Sequence, residues 1–497
     1  MGIFSKKRAR PQRVATDTVI PLSWTDSQSP LRGISLNLTW RFDEVLDPEV
    51  LRLSLGRLLE LDGWHKLGAR LRSNDHGGLE YHVPAEYNAT RPGVDFTVSG
   101  YVMSISDHTL ASRFPQASSQ PALLGSPMDL LPVCTGPQSP WRIEDWLYTD
   151  RPQLAIHVVS FDDATLVTVT WLHTLTDMMG LSGFCKAWTA ILNGREEEVP
   201  KFHGIGDTAL DQIGQDATGE PYVNSKYLLT GFKYVMFAFL FLLELIWHWN
   251  TETRIMCIPG RYVENMRTEA LEELGYQNEK ECSLFVSESD VLLAWWVKAQ
   301  TKVLSPFRNR MIGLMNVFDI RSTVLPGSAS GNRCFVGNAV QSSITFTRAH
   351  QVLDQPVSAL AFQVRQSLVQ QRTKPQVEAE RALQKTYFAK TGRRPCFAVP
   401  NGLLVPCSNW QKAKLFEVDF SSAVVAKERR GTDRANRCGN PSSINGVPLA
   451  QGFQLRFLTN IYGQDLSGNW WLTCTLRRKA WPAIEEELKA LGAMDRH

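Results

Sequence analysis

Residues 164–194 read ATLVTVTWLHTLTDMMGLSGFCKAWTAILNG and predict a strand, a short turn and a helix in succession. The opening stretch, ATLVTVTW, alternates along the chain and is rich in β-branched residues, which is typical of a strand. A helix is expected after Asp177, and Asn193-Gly194 would end it. Its apolar positions recur at helical spacing and are Leu181, Phe184, Trp188 and Ile191. The pattern therefore places His173 and Asp177 at the edge of a sheet, where clefts form.

His173 and Asp177 are the first candidates for chemistry. A neutral imidazole, with a reference pKa near ~6.5, can accept a proton from a hydroxyl or an amine at neutral pH. A nearby carboxylate can fix its tautomer or the local backbone. The spacing alone is weak evidence, because His203 and Asp207 repeat it in a chain with ten histidines. A lone match favours a structural histidine beside a helix cap, so the context has to decide.

The composition is that of an ordinary globular protein. The chain has 497 residues, which suggests roughly three domains. Its formal net charge is only +3, which excludes a domain-wide basic field for nucleic acid. Nine cysteines are scattered without a C-x-x-C pair, and no acidic cluster accompanies His76 or His82. We therefore predict no metal site, and a reduced, cytoplasmic setting.

Strand-like and helical patterns alternate in both halves of the chain, which predicts an α/β fold. Residues 1–15 form a basic tail without the apolar stretch of a signal peptide. Residues 16–195 form a first α/β unit that carries HTLTD. Residues 196–260 have the charged, aperiodic character of a connector and contain one apolar segment. Residues 261–497 repeat the alternation and form a second unit.

The apolar segment of the connector spans residues 234–247, YVMFAFLFLLELIW. Lys233 and Glu244 bracket its uninterrupted apolar core, which is shorter than the about 20 residues of a spanning helix. A buried helix or an exposed apolar docking surface is favoured over a membrane span. Peripheral contact with a membrane stays open.

Three further stretches provide the context that HTLTD needs. NVFDIRS at 316–322 carries Asp319 and Arg321, and GNRCFVGNA at 331–339 leads to Asn338. The third combines Asn409-Trp410 with LFEVDFSSA at 415–423. In this order the four motifs resemble the BAHD acyltransferases, in particular the fungal branch related to trichothecene 3-O-acetyltransferases. The resemblance runs nearly end to end, from Ile20-Pro-Leu-Ser23 to the closing WWLTCTL strand and helix.

The resemblance implies two chloramphenicol-acetyltransferase-like domains with the active site in a channel between them. His173 would be the general base. The co-substrate would be acyl-CoA, and acetyl-CoA is the usual donor in this family. No permanently bound cofactor is implied. Asp177 would pair with Arg321 in an architectural role, and Asp419 would also be structural. The acceptor would be a small hydroxylated secondary metabolite such as a terpenoid or an alkaloid, its pocket lined by loops 20–40 and 315–345. A monomer is expected.

Two departures from the family pattern concern the residues after each aspartate. Glycine usually follows H-x-x-x-D, whereas Met178 stands here and the first glycine is Gly180. The family's D-F-G-W-G has become DFSSA, so neither glycine nor the tryptophan is present. Ser421 and Ser422 are candidate hydrogen-bond donors to CoA, and a plain turn is the equal alternative.

Two other functions are compatible with these motifs. A condensation-domain-like catalyst would take its acyl group from a carrier protein, but such domains usually carry two adjacent histidines, and Leu172 precedes His173 here. A non-catalytic member that binds a metabolite or a membrane partner is suggested by DFSSA and by the apolar segment. The intact His173, Asp177 and Arg321 argue against it.

Overall fold

A computed structural model describes residues 8–29, 31–215, 219–247, 249–275, 285–304, 307–325, 333–425, 436–450 and 456–493. The strands are β1 Thr18–Pro21, β2 Ile34–Phe42, β3 Arg70–Ser73, β4 Leu79–Val83, β5 Asp95–Gly100, β6 Ala122–Leu123, β7 Ala155–Ser160, β8 Thr165–Leu172, β9 Lys201–His203, β10 Thr251–Ile258, β11 Met311–Asp319, β12 Arg333–Phe335, β13 Val340–Arg348, β14 Leu403–Asn409, β15 Ser443–Ala450, β16 Thr459–Gln464 and β17 Trp470–Arg477. The helices are α1 Pro48–Glu60, α2 Leu131–Cys134, α3 Ile143–Leu147, α4 Met178–Leu192, α5 Ala209–Gln212, α6 Gly231–Trp247, α7 Gly260–Glu273, α8 Glu288–Leu304, α9 Arg321–Val324, α10 Ala349–Asp354, α11 Val357–Gln371, α12 Lys374–Thr391 and α13 Trp481–Ala493.

The first large sheet has five strands in the order β15-β2-β8-β7-β5. Side chains alternate across β2, so that Trp40 and its apolar neighbours enter the larger core, in which α1 and α4 pack together. On the other face, Thr39 and Thr168 share a hydrogen bond of 2.8 Å between the paired strands. Strand β8 thus runs through the middle of this sheet and ends at His173.

The second large sheet has seven strands in the order β13-β11-β14-β16-β17-β10-β6. Helices α7, α8, α11 and α13 supply apolar side chains to a second core, which contains Trp296 and Trp470. Ser287-x-x-Asp290 has the spacing of a capping box and forms one at the start of α8. The Ser287 N–H donates to the Asp290 side chain at 2.8 Å, and the Asp290 N–H donates to Ser287 Oγ at 3.3 Å.

Strands cross between the two halves of the chain. Strand β15, from the range 261–497, pairs with β2 in the first sheet, and β6, from the range 16–195, pairs with β10 in the second. Strand β10 lies inside the predicted connector 196–260, yet it is an internal strand between β17 and β6. The proposed boundaries stay a prediction, but neither large sheet is divided at them.

Three further patterns in the sequence predict local structure: a helix start at Asp47-Pro48, a hairpin turn at Gly77-Gly78 and an extended segment at 414–420. The first two predictions are confirmed and the third is wrong. Asp47 caps α1 ahead of Pro48, and Gly77-Gly78 joins β3 and β4 in an antiparallel hairpin. Residues 414–420 were expected to be extended, but they form a short 3₁₀ turn after Lys414, whose φ of 53° is left-handed. The apolar alternation there reflects packing of this loop on the first core, as Leu415 shows.

The connector range supplies one contact that shapes the site. Strand β9 pairs in parallel with β12, which lies within the GNRCFVGNA stretch at 331–339. Helix α4 approaches β12 so closely that a Cβ on Gly183 would lie 2.2 Å from the Cys334 sulfur. Within the described ranges, no helix has the length and apolarity required to cross a membrane.

Candidate active site

His173 begins the tight turn that joins β8 to α4. Its backbone N–H donates to the Ile34 carbonyl at 2.8 Å, which continues the pairing of β8 with β2 by one residue. The Trp171 indole N–H donates to the Thr176 carbonyl at 3.1 Å and closes the turn from the core side. The His173 side chain is half-buried, so the imidazole is held at the end of a rigid strand with part of its surface accessible.

Asp177 caps α4 and fixes a loop from the other half of the chain. Its Oδ1 accepts from the N–H groups of Met179 and Gly180, both at 3.0 Å. Arg321 donates to both carboxylate oxygens, at 2.9 and 3.0 Å. The Ala339 N–H donates to Oδ2 at 2.8 Å. Both carboxylate oxygens of Asp177 are therefore engaged by hydrogen bonds within the protein.

Arg321 uses its remaining donors in the same knot. Its Nε donates to the Phe335 carbonyl at 3.2 Å and its Nη2 to the Gly337 carbonyl at 2.8 Å. Its Nη1 also donates to Asp319 at 2.7 Å. The planar guanidinium thus ties the end of β11 and the loop after β12 to the cap of α4. The structure brings Asp177, Arg321 and Asp319 together as a single buried cluster.

Electrostatics separate the two members of the HTLTD motif. Burial alone would raise the pKa of Asp177, but the Arg321 guanidinium and its hydrogen bonds hold it below the usual range. For His173, burial lowers the pKa, and the opposing effects of Asp177, the residue's own carbonyl and Asn338 are smaller. The carboxylate is kept charged, whereas the imidazole is kept neutral and able to accept a proton.

A second set of contacts holds the backbone of His173. The Asn338 side-chain amide donates to the His173 carbonyl at 2.6 Å and to Asp26 at 2.7 Å. The Asn338 backbone N–H also donates to Asp26, at 2.9 Å. Burial, reinforced by the nearby Asp177 charge, raises the pKa of Asp26 to about 6. Asn338 belongs to a motif found in the sequence, but Asp26 was missed.

Asp26 did carry a local signal in the sequence. The spacing Ser23-x-x-Asp26 builds a reciprocal pair, in which Ser23 Oγ donates to Asp26 at 2.7 Å and accepts from its N–H at 3.1 Å. That pattern predicts a turn but does not indicate a partner 312 residues away. The link to Asn338 becomes visible only in three dimensions.

The position of Gly180 has a steric reason. A Cβ there would lie 1.9 Å from Thr176 Oγ1 and 3.3 Å from an Arg321 nitrogen. Met178, which occupies the position of the family's usual glycine, is buried without such a conflict. The close approach in this chain is therefore two residues further along the helix.

The predicted residues of the DFSSA stretch lie at the other end of α4. The Asp419 carbonyl accepts from the Asn193 side chain at 3.0 Å, and Ser422 Oγ donates to the same side chain at 2.6 Å. Asn193 ends α4 and Asp177 begins it, 16 residues apart, so the two ends are separated by roughly 24 Å. The Ser421 N–H donates to Asp419 at 3.0 Å in a local turn. These residues are not brought to His173.

Other candidate chemistries find no support in the described parts of the chain. No group of three His, Cys, Asp or Glu residues there could hold a metal ion. Burial raises the pKa of the Cys185 thiol, which disfavours the thiolate that a nucleophilic cysteine needs.

Residues 145–425 match the family model described as the Transferase family, which is more than half of the chain. The chain belongs to this family. It is similar over 99% of its length to the acetyltransferase adrJ of Penicillium roqueforti, with 40% identity and 100% of that protein covered. It is also 38% identical to the O-acyltransferase pboC of Aspergillus ustus, over 92% of this chain and 96% of that one.

The fold of this Transferase family member is also shared with a solved structure. TRI101 of F. graminearum, complexed with Coenzyme A and T-2 mycotoxin, superposes with a TM-score of 0.66 at 14% identity, over 94% of this chain and 96% of that one. The expected fold class is confirmed as α/β with two chloramphenicol-acetyltransferase-like domains. The chain is a BAHD acyltransferase of the fungal branch, and it is an enzyme.

Proposed function

We propose that this acyltransferase moves an acyl group, in the first instance acetyl, from acyl-CoA to a hydroxyl group of a fungal secondary metabolite such as a terpenoid or an alkaloid. The observation that carries the proposal is the accessible, neutral His173 at the end of β8. The relatives' names, acetyltransferase and O-acyltransferase, support the group and the atom that receives it. The solved complex of TRI101 with Coenzyme A and T-2 mycotoxin supports the two substrate classes.

In the proposed mechanism His173 is the general base. Its imidazole takes the proton of the acceptor hydroxyl while the oxygen attacks the thioester carbonyl. The C–S bond then breaks, the ester forms, and the proton passes from the imidazolium to the CoA thiolate. No acyl-enzyme intermediate is required, because both substrates meet at His173 from opposite sides of the channel between the domains.

Asp177, Arg321 and Asn338 act as positioning residues in this proposal. The salt bridge of Asp177 with Arg321 and the amide of Asn338 fix the backbone on both sides of the His173 turn. Because the Asp177 carboxylate is engaged by protein contacts, it takes no proton from the substrate in this proposal. Because His173 is already held in position before the substrates bind, less free energy is needed to reach the reactive geometry.

We propose that Ser421 and Ser422 do not contact the reacting thioester, because they lie at the far end of α4. A contact with CoA at this place would involve a distant part of that molecule. Changing both serines to alanine would then raise KM for acetyl-CoA and leave kcat unchanged. An unchanged KM would assign them to the turn alone.

The test uses the purified protein, taken here as a cytoplasmic monomer without bound cofactor, and a pool of hydroxylated metabolites. Free thiol release from acetyl-CoA is followed, and the product is identified by mass. Longer acyl-CoA donors and an acyl group on a carrier protein form the other arms. Turnover with free acyl-CoA supports the proposal; turnover only from the carrier, or binding of acyl-CoA without turnover on any acceptor, rejects it.

A further inference from the structure

Helix α6 is apolar along almost its whole length, yet none of its side chains is buried. Its 17 residues include only two charges, Lys233 and Glu244. Helix α4, of similar length, buries most of its side chains in the first core. A water-soluble helix normally turns its apolar stripe toward the core. Helix α6 does the opposite and presents apolar side chains outward.

The exposed side chains of α6 share one side of the helix. They recur every three or four residues and are Phe232, Val235, Phe239, Leu242, Leu243 and Ile246. We call this set the apolar face. Trp247 and Trp249 follow it, each 81% exposed. Tryptophan side chains combine an apolar ring with a polar N–H, and they favour the boundary between membrane and water.

Polar contacts on the opposite side fix the direction of the apolar face. Glu244 is nine residues from Val235, which puts it about 180° around the helix. It forms a salt bridge with Arg310, and Arg456 donates to its backbone carbonyl at 2.7 Å. The helix is therefore attached to the second domain through its polar side. The apolar face points away from the protein.

Basic side chains surround the helix. The Arg393 guanidinium stands 5.6 Å from the centre of the Tyr234 ring in the first turn. Further along the helix, Arg310 forms a salt bridge with Glu244, and Arg456 donates to its backbone carbonyl. Arg477 interacts electrostatically with both Glu244 and Arg310. We call Lys233, Arg310, Arg393 and Arg477 the cationic rim. Arg456 is not included, because only 5% of its side chain is exposed. The one carboxylate of α6 leaves this rim with an excess of positive charge.

The charge of the rim decides between two possible occupants. A second copy of the chain, packed face to face across a two-fold axis, would bring two cationic rims together and repel. Anionic lipid headgroups would instead be attracted, and each basic residue near such a surface adds to the binding. The exposed Trp247 and Trp249 at the end of the helix also favour a bilayer over an interface between two positively charged surfaces.

We propose that α6 is an interfacial membrane helix, whose apolar face enters the boundary between headgroups and acyl chains of a bilayer that contains anionic lipids. The cationic rim would then lie at headgroup level.

The test is flotation of the full-length protein with vesicles. One set contains phosphatidylcholine alone and the other contains phosphatidylcholine and phosphatidylserine in equal amounts. We expect binding to the anionic vesicles that weakens with salt. The double variant Phe239→Gln/Leu242→Gln should lower the partition coefficient by about tenfold or more, because two apolar side chains no longer enter the bilayer. Hydrogen exchange of residues 231–247 should become slower when anionic vesicles are added.

Matched controls come from the other half of the chain. Leu53→Gln and Val102→Gln replace side chains that are 56% and 96% exposed, and they should leave vesicle binding unchanged. The charge variant Lys233→Gln/Arg393→Gln should lose the preference for phosphatidylserine and most of the salt dependence.

Unchanged binding in the Phe239→Gln/Leu242→Gln variant would overturn the proposal. A dimer in solution that this variant converts to a monomer would overturn it too, since a second copy would then cover the face. All variants need the thermal midpoint of the parent protein, which the exposed positions permit.

Discussion

The spacing H-x-x-x-D occurs twice in this chain, at His173 and Asp177 and at His203 and Asp207, and the structure gives the two sites different surroundings. At the second site the histidine and aspartate face each other directly, with 3.7 Å between His203 Nδ1 and an Asp207 oxygen. Both side chains are about one-third exposed. At the first site the aspartate is turned away, and only 5% of its side chain is exposed.

The two sites differ most in where their partners come from. In the second motif the partners of the aspartate are local: the Asp207 N–H donates to the Gly204 carbonyl at 2.7 Å, and the Asp207 side chain accepts from the Ala209 N–H at 2.9 Å. Its contacts with a distant segment are backbone contacts of His203 with β12 and Val336. At the first, the partners of Asp177 include Arg321, 144 residues along the chain. The same four-residue spacing thus builds either a local turn or a junction between the two halves of the chain. The distant arginine, rather than the spacing, decides which.

The largest expected difference between the two motifs concerns catalysis. Replacing His173 by alanine should lower kcat on the order of 10²–10⁴-fold, since the general base is lost. Replacing His203 by alanine should leave kcat within a factor of about two, because a partly exposed side chain in a local turn is removed. Steady-state thiol release from acetyl-CoA measures both. Equal rates in the two variants would remove His173 from the mechanism.

The two aspartates should differ in their effect on folding. Asp177→Asn leaves the Arg321 guanidinium buried with a weakened partner, which should cost about 3–5 kcal/mol of unfolding free energy. Asp207→Asn removes a half-exposed charge and should cost less than about 1 kcal/mol. Urea unfolding followed by circular dichroism compares them. Similar losses would mean that the buried pair has no special structural role.

A smaller effect is expected from the residue that holds the His173 carbonyl. Asn338→Ala removes the donor to His173 and to Asp26 and should cost about 1–3 kcal/mol, with a lower kcat at unchanged KM for the donor. At the second motif the matching contact is the Val336 backbone N–H to the His203 carbonyl, which no side-chain substitution removes. The exposed Asn401→Ala is the control. If both asparagine variants behave as the parent protein, the bridge has no role.

Local patterns in the sequence predict the parts of the site that are local in space. The strand that ends at Leu172, the cap at Asp177 and the end of α4 at Asn193 all follow from residues within a few positions of one another. The pairing of Asp177 with Arg321 came from the family resemblance and is present in the structure.

What the sequence could not provide depends on contacts between distant segments. The bridge from Asp26 through Asn338 to His173 joins three elements that have no common pattern. Strand β15 was missed because its partner, β2, lies some 400 residues earlier. The loop at 414–420 was predicted to be extended, but the left-handed residue Lys414 begins a 3₁₀ turn that packs apolar side chains into the core. The spacing of apolar residues indicates which side chains are buried, but not the segment of the chain against which they pack.

The pH dependence of the reaction should separate His173 from Asp26, the titratable group at the other end of the Asn338 bridge. Because burial lowers the pKa of His173, the imidazole stays neutral below the usual value near 6.5, and kcat/KM should fall only as the pH drops through that lowered pKa. Asp26, with a pKa raised to about 6, is the competing group, since its protonation weakens the hold on Asn338. The profiles of the parent protein, Asp26→Asn and His203→Ala are measured from pH 4 upward, within the range where each still folds. If His173 sets the acid limb, all three limbs have the same midpoint, below 6.5. If the limb disappears in Asp26→Asn, the carboxyl group and not the imidazole controls the rate at low pH, and the first motif works through its bridge rather than through its base.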